Sequence, residues 1–289
     1  MNEKFAIEPS ACTSSMEWRY LFDKFGPLAG RYGMKFPQNW EKRLLSGIAI
    51  ENWQELEKIK VLLRRAQEGK VLLNLKAGSI YLENREWIEN LESDPASKAD
   101  ILKAIVRKKR KDFEIDLDSL DLPPTAGERV PSDVKNFVRV SEVLLSIGPE
   151  LYFVDPFLNP LRNDHCEVLV GMLKAAASGA ARKVVAWTSE RKVDCTDQEI
   201  REKIIEIKKL SGFKFPVNMY LVDDTSSHYK LHDRWLFTQY GGVGFSQGFQ
   251  RQSKSRPMNV WPMDKQHLED CWQNLREGNA DFSQRCISA

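Results

Sequence analysis

Four nitrogen-bearing side chains alternate along one short stretch of this chain: His228, Lys230, His232 and Arg234, within His-Tyr-Lys-Leu-His-Asp-Arg-Trp-Leu-Phe-Thr. If the stretch is a strand, alternate residues share a face. These four then line one face, and Tyr229, Leu231, Asp233 and Trp235 the other. A face with four nitrogen donors and no carboxylate does not suit a core, because each buried charge would need a partner. It does suit an anion. Arg and Lys complement phosphate oxygens, and His can donate or transfer a proton. Downstream, no Asp or Glu occurs between Asp233 and Asp264, and this window holds Gly241-Gly242-Val-Gly244-Phe-Ser246-Gln-Gly248 followed by Arg251, Lys254 and Arg256. Glycines let backbone N–H groups approach a phosphate, and Ser246 adds a hydroxyl. The plain structural alternative pairs His232 and Arg234 with acids such as Asp155 or Glu190. Asp155 in turn reads either as a turn cap before Pro156 or as the group that orients His232 or Arg234.

The elements that must position these residues follow from periodicity. From Ser132 onward strands and helices alternate. A helix runs to about Ile147, a strand over Leu151–Val154, a helix over Cys166–Ser178 and a strand over Lys183–Trp187. A helix over Thr196–Leu210, a strand over Val217–Val222 and strands over Tyr229–Phe237 and Gly242–Ser246 come next, with a last helix over Met263–Arg276. This order predicts an α/β fold, a sheet flanked by helices with its site at strand ends. Before it, Asn39–Ser46, Asn52–Glu68, Asn84–Leu91 and Ser97–Val106 read as helices and Lys70–Leu75 as a short strand. The segment to Pro37 has no clean period. Residues 112–132, acidic and then Pro-rich, read as a linker. Two parts are therefore expected: a mainly helical N-terminal region over residues 1–130, suited to protein contacts, and an α/β domain over residues 131–289.

Composition bounds the rest. The 289 residues carry 43 Lys+Arg and 41 Asp+Glu, a net charge of +2. Residues 1–130 hold 22 basic and 21 acidic side chains, so neither half is basic throughout. A polyanion coat is excluded, but a local phosphate site is not. Cys12, Cys166, Cys195, Cys271 and Cys286 form no C-x-x-C pair, which argues against a zinc ribbon or a thioredoxin-type site and for reduced thiols in a cytoplasmic protein. No apolar run reaches membrane-spanning length. Asn163-Asp164-His165-Cys166 reads as a helix start with Asn163 or Asp164 as cap rather than as a metal site. The basic run Arg107–Lys111 reads as a solvated helix end or a nucleic-acid contact. No cofactor and no metal are expected.

The run Leu231-His232-Asp233-Arg234-Trp235-Leu236, with Gly244 and Ser246 after it, resembles the motif region of the phospholipase D superfamily. There a His-x-Lys strand precedes a Gly-Ser pair. The His-Asp-Arg spelling is similar to a divergent branch that includes modules at the C-terminus of MIT-domain proteins and prokaryotic proteins in defence contexts. Leu151-Tyr-Phe-Val-Asp155-Pro156-Phe157 resembles the same branch. The resemblance spans about residues 132–275, and residues 1–130 carry no motif of this kind. It implies a phospholipase D-like sheet and a metal-independent phosphodiesterase or nuclease. In that reading His232 is the nucleophile, Arg234 stands in the Lys position, and His228, Lys230, Gly244 and Ser246 contact the phosphate. One motif copy implies a homodimer if two histidines are to act together. Three departures, Arg for Lys, the intervening Asp233 and Gln239 where the family has Asp, imply the other outcome: an inactive phosphate-binding adaptor or protein-interaction module.

Overall fold

The computed structural model describes residues 2–48, 52–75, 81–110, 112–122, 125–223, 231–252, 256–276 and 284–289. The chain divides into two units, Asn2–Thr125 and Ala126–Ala289. Both are α/β.

The first unit contains β1 (Glu3–Ile7), α1 (Ser15–Phe22), β2 (Arg31–Lys35), α2 (Trp40–Ser46), α3 (Trp53–Glu68), β3 (Leu72–Asn74), α4 (Trp87–Ser93), α5 (Pro95–Asp100), β4 (Lys103–Val106) and β5 (Glu114–Asp116). The pairings between these strands are parallel, in the order β3-β2-β1-β4-β5. The expectation of a mainly helical region is thus corrected: a five-stranded sheet lies at its centre. Three misreadings explain the difference. The segment before Pro37 is not irregular but contributes β1, α1 and β2. The Ser97–Val106 helix ends at Asp100, and the apolar run Ala104-Ile105-Val106 is a strand buried from end to end. The supposed linker contributes β5 to this sheet and its last residues to the other unit's sheet, so the boundary falls at Thr125 rather than at residue 130. A strand covered on both faces has no polar alternation to reveal it. Phe5 and Ile7 point into a core with Trp18 and Leu21 of α1, Trp40 of α2 and Ile59 and Leu63 of α3.

The second unit contains β6 (Glu128–Pro131), α6 (Val134–Ile147), β7 (Glu150–Val154), α7 (Asn163–Ala177), β8 (Lys183–Ser189), α8 (Asp197–Ser211), β9 (Val217–Val222), β10 (Trp235–Thr238), β11 (Gly241–Phe245), β12 (Pro257–Pro262), α9 (Lys265–Leu275) and β13 (Gln284–Ser288). Its sheet runs β13-β9-β8-β7-β10-β11-β12-β6. β7, β8 and β9 are parallel, and every other pairing is antiparallel. Both faces are covered. Leu151, Phe153, Val184, Ala186 and Leu236 pack into the core under α6, α7 and α8. Tyr152, Val154, Trp187, Trp235 and Phe237 pack under α9. Helix starts are capped as their sequences dictate: Asp133 accepts from Asn136 N–H, and Thr196 and Glu199 form a capping box. α7 departs from expectation, because it begins at Asn163 with Arg162 in the cap position and no side-chain cap. Asp164 instead holds Arg162 and a side chain of a distant loop, described below with the site. No helix among the described residues is long and apolar enough to cross a membrane.

His165, in the first turn of α7, is 1% exposed, and its Nδ1 accepts the Asn159 N–H at 3.1 Å. Burial pushes its pKa down to about 4. The folded chain therefore resists a proton that the unfolded chain accepts near pH 6.5. This contribution to stability is complete above about pH 6.5 and is lost as the pH falls toward 4, in all roughly 3 kcal/mol. Denaturant titrations at pH 7 and pH 4 will show a smaller loss for His165→Gln than for the wild type. Parallel pH profiles would disprove the assignment.

Candidate anion-binding site

β7 ends at Val154, and the next residue, Asp155, is 1% exposed. An ionised carboxylate at such depth needs partners. Asp155 has three. One oxygen accepts the Phe157 N–H at 2.9 Å, and the other accepts the Phe249 N–H at 2.9 Å. Arg234 Nε lies 3.7 Å from Oδ1. Burial pushes the carboxyl's pKa up, and the two amides and Arg234 pull it back.

The sheet register places Arg234. β10 runs antiparallel to β7 with Trp235 opposite Val154, so the residue before Trp235 arrives beside the residue after Val154. Arg234 Nη1 also donates to the Ser246 carbonyl at 3.3 Å. Its guanidinium carbon is 5.3 Å from the ring centroid of Phe157, a residue that is 45% exposed. Lys192 Nζ, from the turn after β8, approaches the same ring, also at 5.3 Å. Two cations thus share one exposed aromatic ring at the C-terminal ends of two adjacent parallel strands, where α/β sheets place ligands. The loop closing the site is tied down by Phe249 on Asp155, by Gln250 Nε2, which donates to Asp164 at 2.6 Å, and by Ser132, whose hydroxyl donates to the Gln250 carbonyl at 2.8 Å and whose carbonyl accepts the Gln252 N–H at 2.9 Å. Asp164 also accepts from Arg162 at 2.8 Å and has its pKa lowered to about 2. Burial acts against that lowering, and the Arg162 and Gln250 hydrogen bonds overcome it.

Gly248 makes the closure possible. Its φ is +68°, and a Cβ there would stand 2.2 Å from Asp155 Oδ2 and 2.9 Å from Arg234 Cδ. Only a residue without a Cβ lets the backbone pass this close.

The residues singled out in the sequence are only partly brought together. Asp155, Arg234 and Ser246 meet. Ser246 contributes its carbonyl, while its hydroxyl accepts the Asn259 N–H at 2.9 Å and fastens β11 to β12. His232 is exposed, just ahead of β10. The described strand starts at Trp235, with residues 231–234 ahead of it, and His228, Tyr229 and Lys230 lie outside the described residues. Ahead of the strand, Leu231 packs with Trp235 under α9, and Asp233 Oδ2 sits 3.6 Å from His267 Nε2 of that helix, while Arg234 turns to Asp155. Gly244 is corrected. It is buried inside β11, where a Cβ would lie 2.5 Å from Trp261 and 2.6 Å from Trp235. It makes room for two indoles and does not face a phosphate. Phe157, Lys192 and Gly248 have roles that the sequence alone does not reveal. Phe157 and Gly248 stand within the Asp-Pro-Phe and glycine-rich motifs. Lys192 gives no local signal, because only the β7–β8 pairing brings it there.

Among the described residues no group of three or more His, Cys, Asp or Glu is placed to hold a metal ion. No family model matches the chain, and no curated protein is similar to it. Among solved structures, TrmBL2, an archaeal chromatin protein described with a novel mode of DNA binding, aligns over 84% of this chain and 68% of its own, at 14% identity and a TM-score of 0.31. A likeness that slight bears on neither the fold nor the function of this chain.

Proposed function

We propose that the second unit is a phospholipase D-like module that recognises a phosphodiester, with nucleic acid as the substrate class. The observation that supports this reading most is the exposed Phe157 ring flanked by Arg234 and Lys192. A nucleotide offers both a phosphate for the cations and a base for the ring, and base–aromatic stacking contributes about 1–3 kcal/mol. Arg234 is pre-oriented by a buried carboxylate, so it loses little entropy on binding. His228 and Lys230 are further phosphate contacts in this reading.

Cleavage would run through His232. Its ring nitrogen attacks phosphorus, a P–N bond forms, and the P–O bond to the leaving alcohol breaks. A second histidine protonates the leaving oxygen, and water then hydrolyses the phosphohistidine. One chain has one such motif, so the second His232 comes from a second copy. A role in antiviral defence, like a protein partner for the first unit, rests on sequence reading alone. A specific observation favours the alternative, a phosphate-binding adaptor without turnover: Arg234 is already engaged by Asp155 and by the Ser246 carbonyl, which suits holding an anion better than following charge as it moves.

Fluorescence anisotropy with labelled single-stranded DNA and RNA, together with a metal-free cleavage assay, tests both. Lys192→Ala touches no buried group and is expected to weaken binding about tenfold, the loss of one charge-assisted contact. Arg234→Ala is expected to weaken it further. His232→Ala will abolish cleavage and leave affinity nearly unchanged. Unaltered binding in both Lys192→Ala and Arg234→Ala would overturn the site, and cleavage surviving His232→Ala would overturn the nucleophile.

A further inference from the structure

The first unit has a crevice of its own. In the order β3-β2-β1-β4-β5 the chain winds outward from β1 in one direction and then crosses to β4 on the other side. The carboxyl ends of β1 and β4 are therefore a topological switch point, the place where open parallel sheets bind ligands. Two cavities open there. The larger, about 500 Å³, is lined by Glu8, Ser10, Thr13, Arg43, Tyr81 and Trp87 among others. The smaller, about 320 Å³, is lined by Glu8, Ser10, Glu86, Arg107, Lys108 and Arg110 among others. Glu8 and Ser10 belong to both, so the two form one divided crevice. Its larger part alone falls within the usual size of small-molecule sites.

Chemistry differs between the two parts. The larger has an aromatic wall: Tyr81 packs on Phe36 at 5.8 Å between centroids, Phe36 on Trp87 at 6.4 Å, and the Arg43 guanidinium lies 4.3 Å from the Tyr81 ring. The smaller is edged by the basic run that follows β4. Lys108 is exposed and has no partner among the described residues. Arg110 is 68% exposed and only 3.6 Å from Glu86, an ion pair that an incoming phosphate can displace. Between the parts stands Glu8, directly after β1. Its N–H is held by the Ile105 carbonyl at 2.9 Å, and burial raises the pKa of its carboxyl against the lowering influence of the neighbouring Arg107 N–H, Ser10 and Arg110. The amide groups that open α1 are not the anion site. The Thr13 N–H donates to Glu17 at 2.7 Å, and the Ser15 N–H donates to Glu55. An anion must instead use the loop after β4.

We propose that this crevice is a second ligand site, distinct from the one at Arg234, and that it takes a ribonucleoside monophosphate: the base against Tyr81 and Trp87, the ribose hydroxyls on Glu8, and the phosphate on Lys108 and Arg110. A carboxylate that accepts from vicinal hydroxyls distinguishes ribose from deoxyribose, because loss of one hydroxyl leaves an acceptor unsatisfied.

Isothermal titration of the full chain with the common ribonucleoside 5′-monophosphates, each beside its 2′-deoxy counterpart, tests this. Saturable binding is expected, with a component in which the ribo form is favoured about tenfold for the lost hydrogen bond. Lys108→Ala combined with Arg110→Ala, both at exposed positions, should weaken binding about tenfold or more. Glu8→Gln should remove the ribose preference. Lys192→Ala, in the other unit, should weaken only a component that sits at the Arg234 site and leave the ribose-selective component in place. The proposal is overturned if no monophosphate binds up to about 1 mM, if ribo and deoxy forms bind equally, if the Lys108/Arg110 double variant binds as the wild type does, or if Lys192→Ala abolishes the signal and so places the ligand at the Arg234 site.

Discussion

Replacing Asp155 with alanine will lower the unfolding midpoint of the second unit by about 10 °C, the largest effect expected of any single truncation at the site. Asp155 satisfies two backbone N–H groups, Phe157 and Phe249, and is the counter-charge of Arg234. Each amide left without an acceptor costs about 1–3 kcal/mol. Arg234 costs less, because its side chain is 30% exposed and water can solvate it once the carboxylate is gone. Together these losses amount to roughly 3–5 kcal/mol, and a domain of this size loses about 2–4 °C per kcal/mol. Asp155→Asn separates the charge from the hydrogen bonds. The amide keeps one acceptor oxygen, loses the charge, and turns an NH₂ toward a donor. It should fall between wild type and Asp155→Ala. Thermal scans of the three proteins decide this, and a midpoint for Asp155→Ala within about 2 °C of wild type would show that the Phe249 loop holds without it.

Asp155 also shows how far the sequence can be read. Its position after Leu-Tyr-Phe-Val and before Pro-Phe marks the end of a buried strand, and a carboxylate there reads as either a cap or an orienting partner. The structure makes it both: the Phe157 N–H is a local cap, and the Phe249 N–H and Arg234 come from 94 and 79 residues away. The local half is visible because backbone turns are built from neighbours. The distant half depends on which strands pair, and no periodicity carries that. The same division explains Gly244 and Gly248. Both stand in one glycine-rich run, and composition cannot tell a glycine that makes room for tryptophans from one that passes over a carboxylate. Lys192 is the extreme case, since only the pairing of β7 with β8 brings it to Phe157. In the first unit the failure has another cause. β1, β2 and β4, four or five residues long and covered on both faces, carry neither alternation nor length, β3 and β5 are only three residues long, and Lys103–Val106 continues the pattern of the short helix before it. The amphipathic helices α3, α6 and α8 were legible because each leaves one face in water and is marked by caps at its start.

Gly248→Ala is expected to cost the second unit about as much as Asp155→Ala, for the opposite reason: it adds an atom where the carboxylate already is. Backbone strain is the smaller cost, since a residue with a Cβ at φ +68° is strained by about 1 kcal/mol. Steric collision costs more. A Cβ 2.2 Å from Asp155 Oδ2 and 2.9 Å from Arg234 Cδ cannot be accommodated without moving one of them. The carboxylate cannot retreat while it holds two amides, so the loop must lift, at a cost of about 1–3 kcal/mol for overpacking in addition to the weakened Phe249 hydrogen bond. The two substitutions therefore should not add. In the Asp155→Ala background the oxygen that collides with the new methyl is absent, the Arg234 side chain is freed from its counter-charge and can swing aside, and Gly248→Ala should cost little beyond the backbone strain. A double-mutant cycle on unfolding free energies will show a coupling of about 2 kcal/mol between positions 155 and 248. Strict additivity would mean that Gly248 is needed only for its φ, and that the close passage of the loop over Asp155 does not govern the stability of the site. Binding measured on the same four proteins carries the argument to function. If Arg234 is useful only while the buried carboxylate and the closed loop hold it, both single variants lose phosphodiester affinity by about tenfold or more, and the double variant loses little beyond either one.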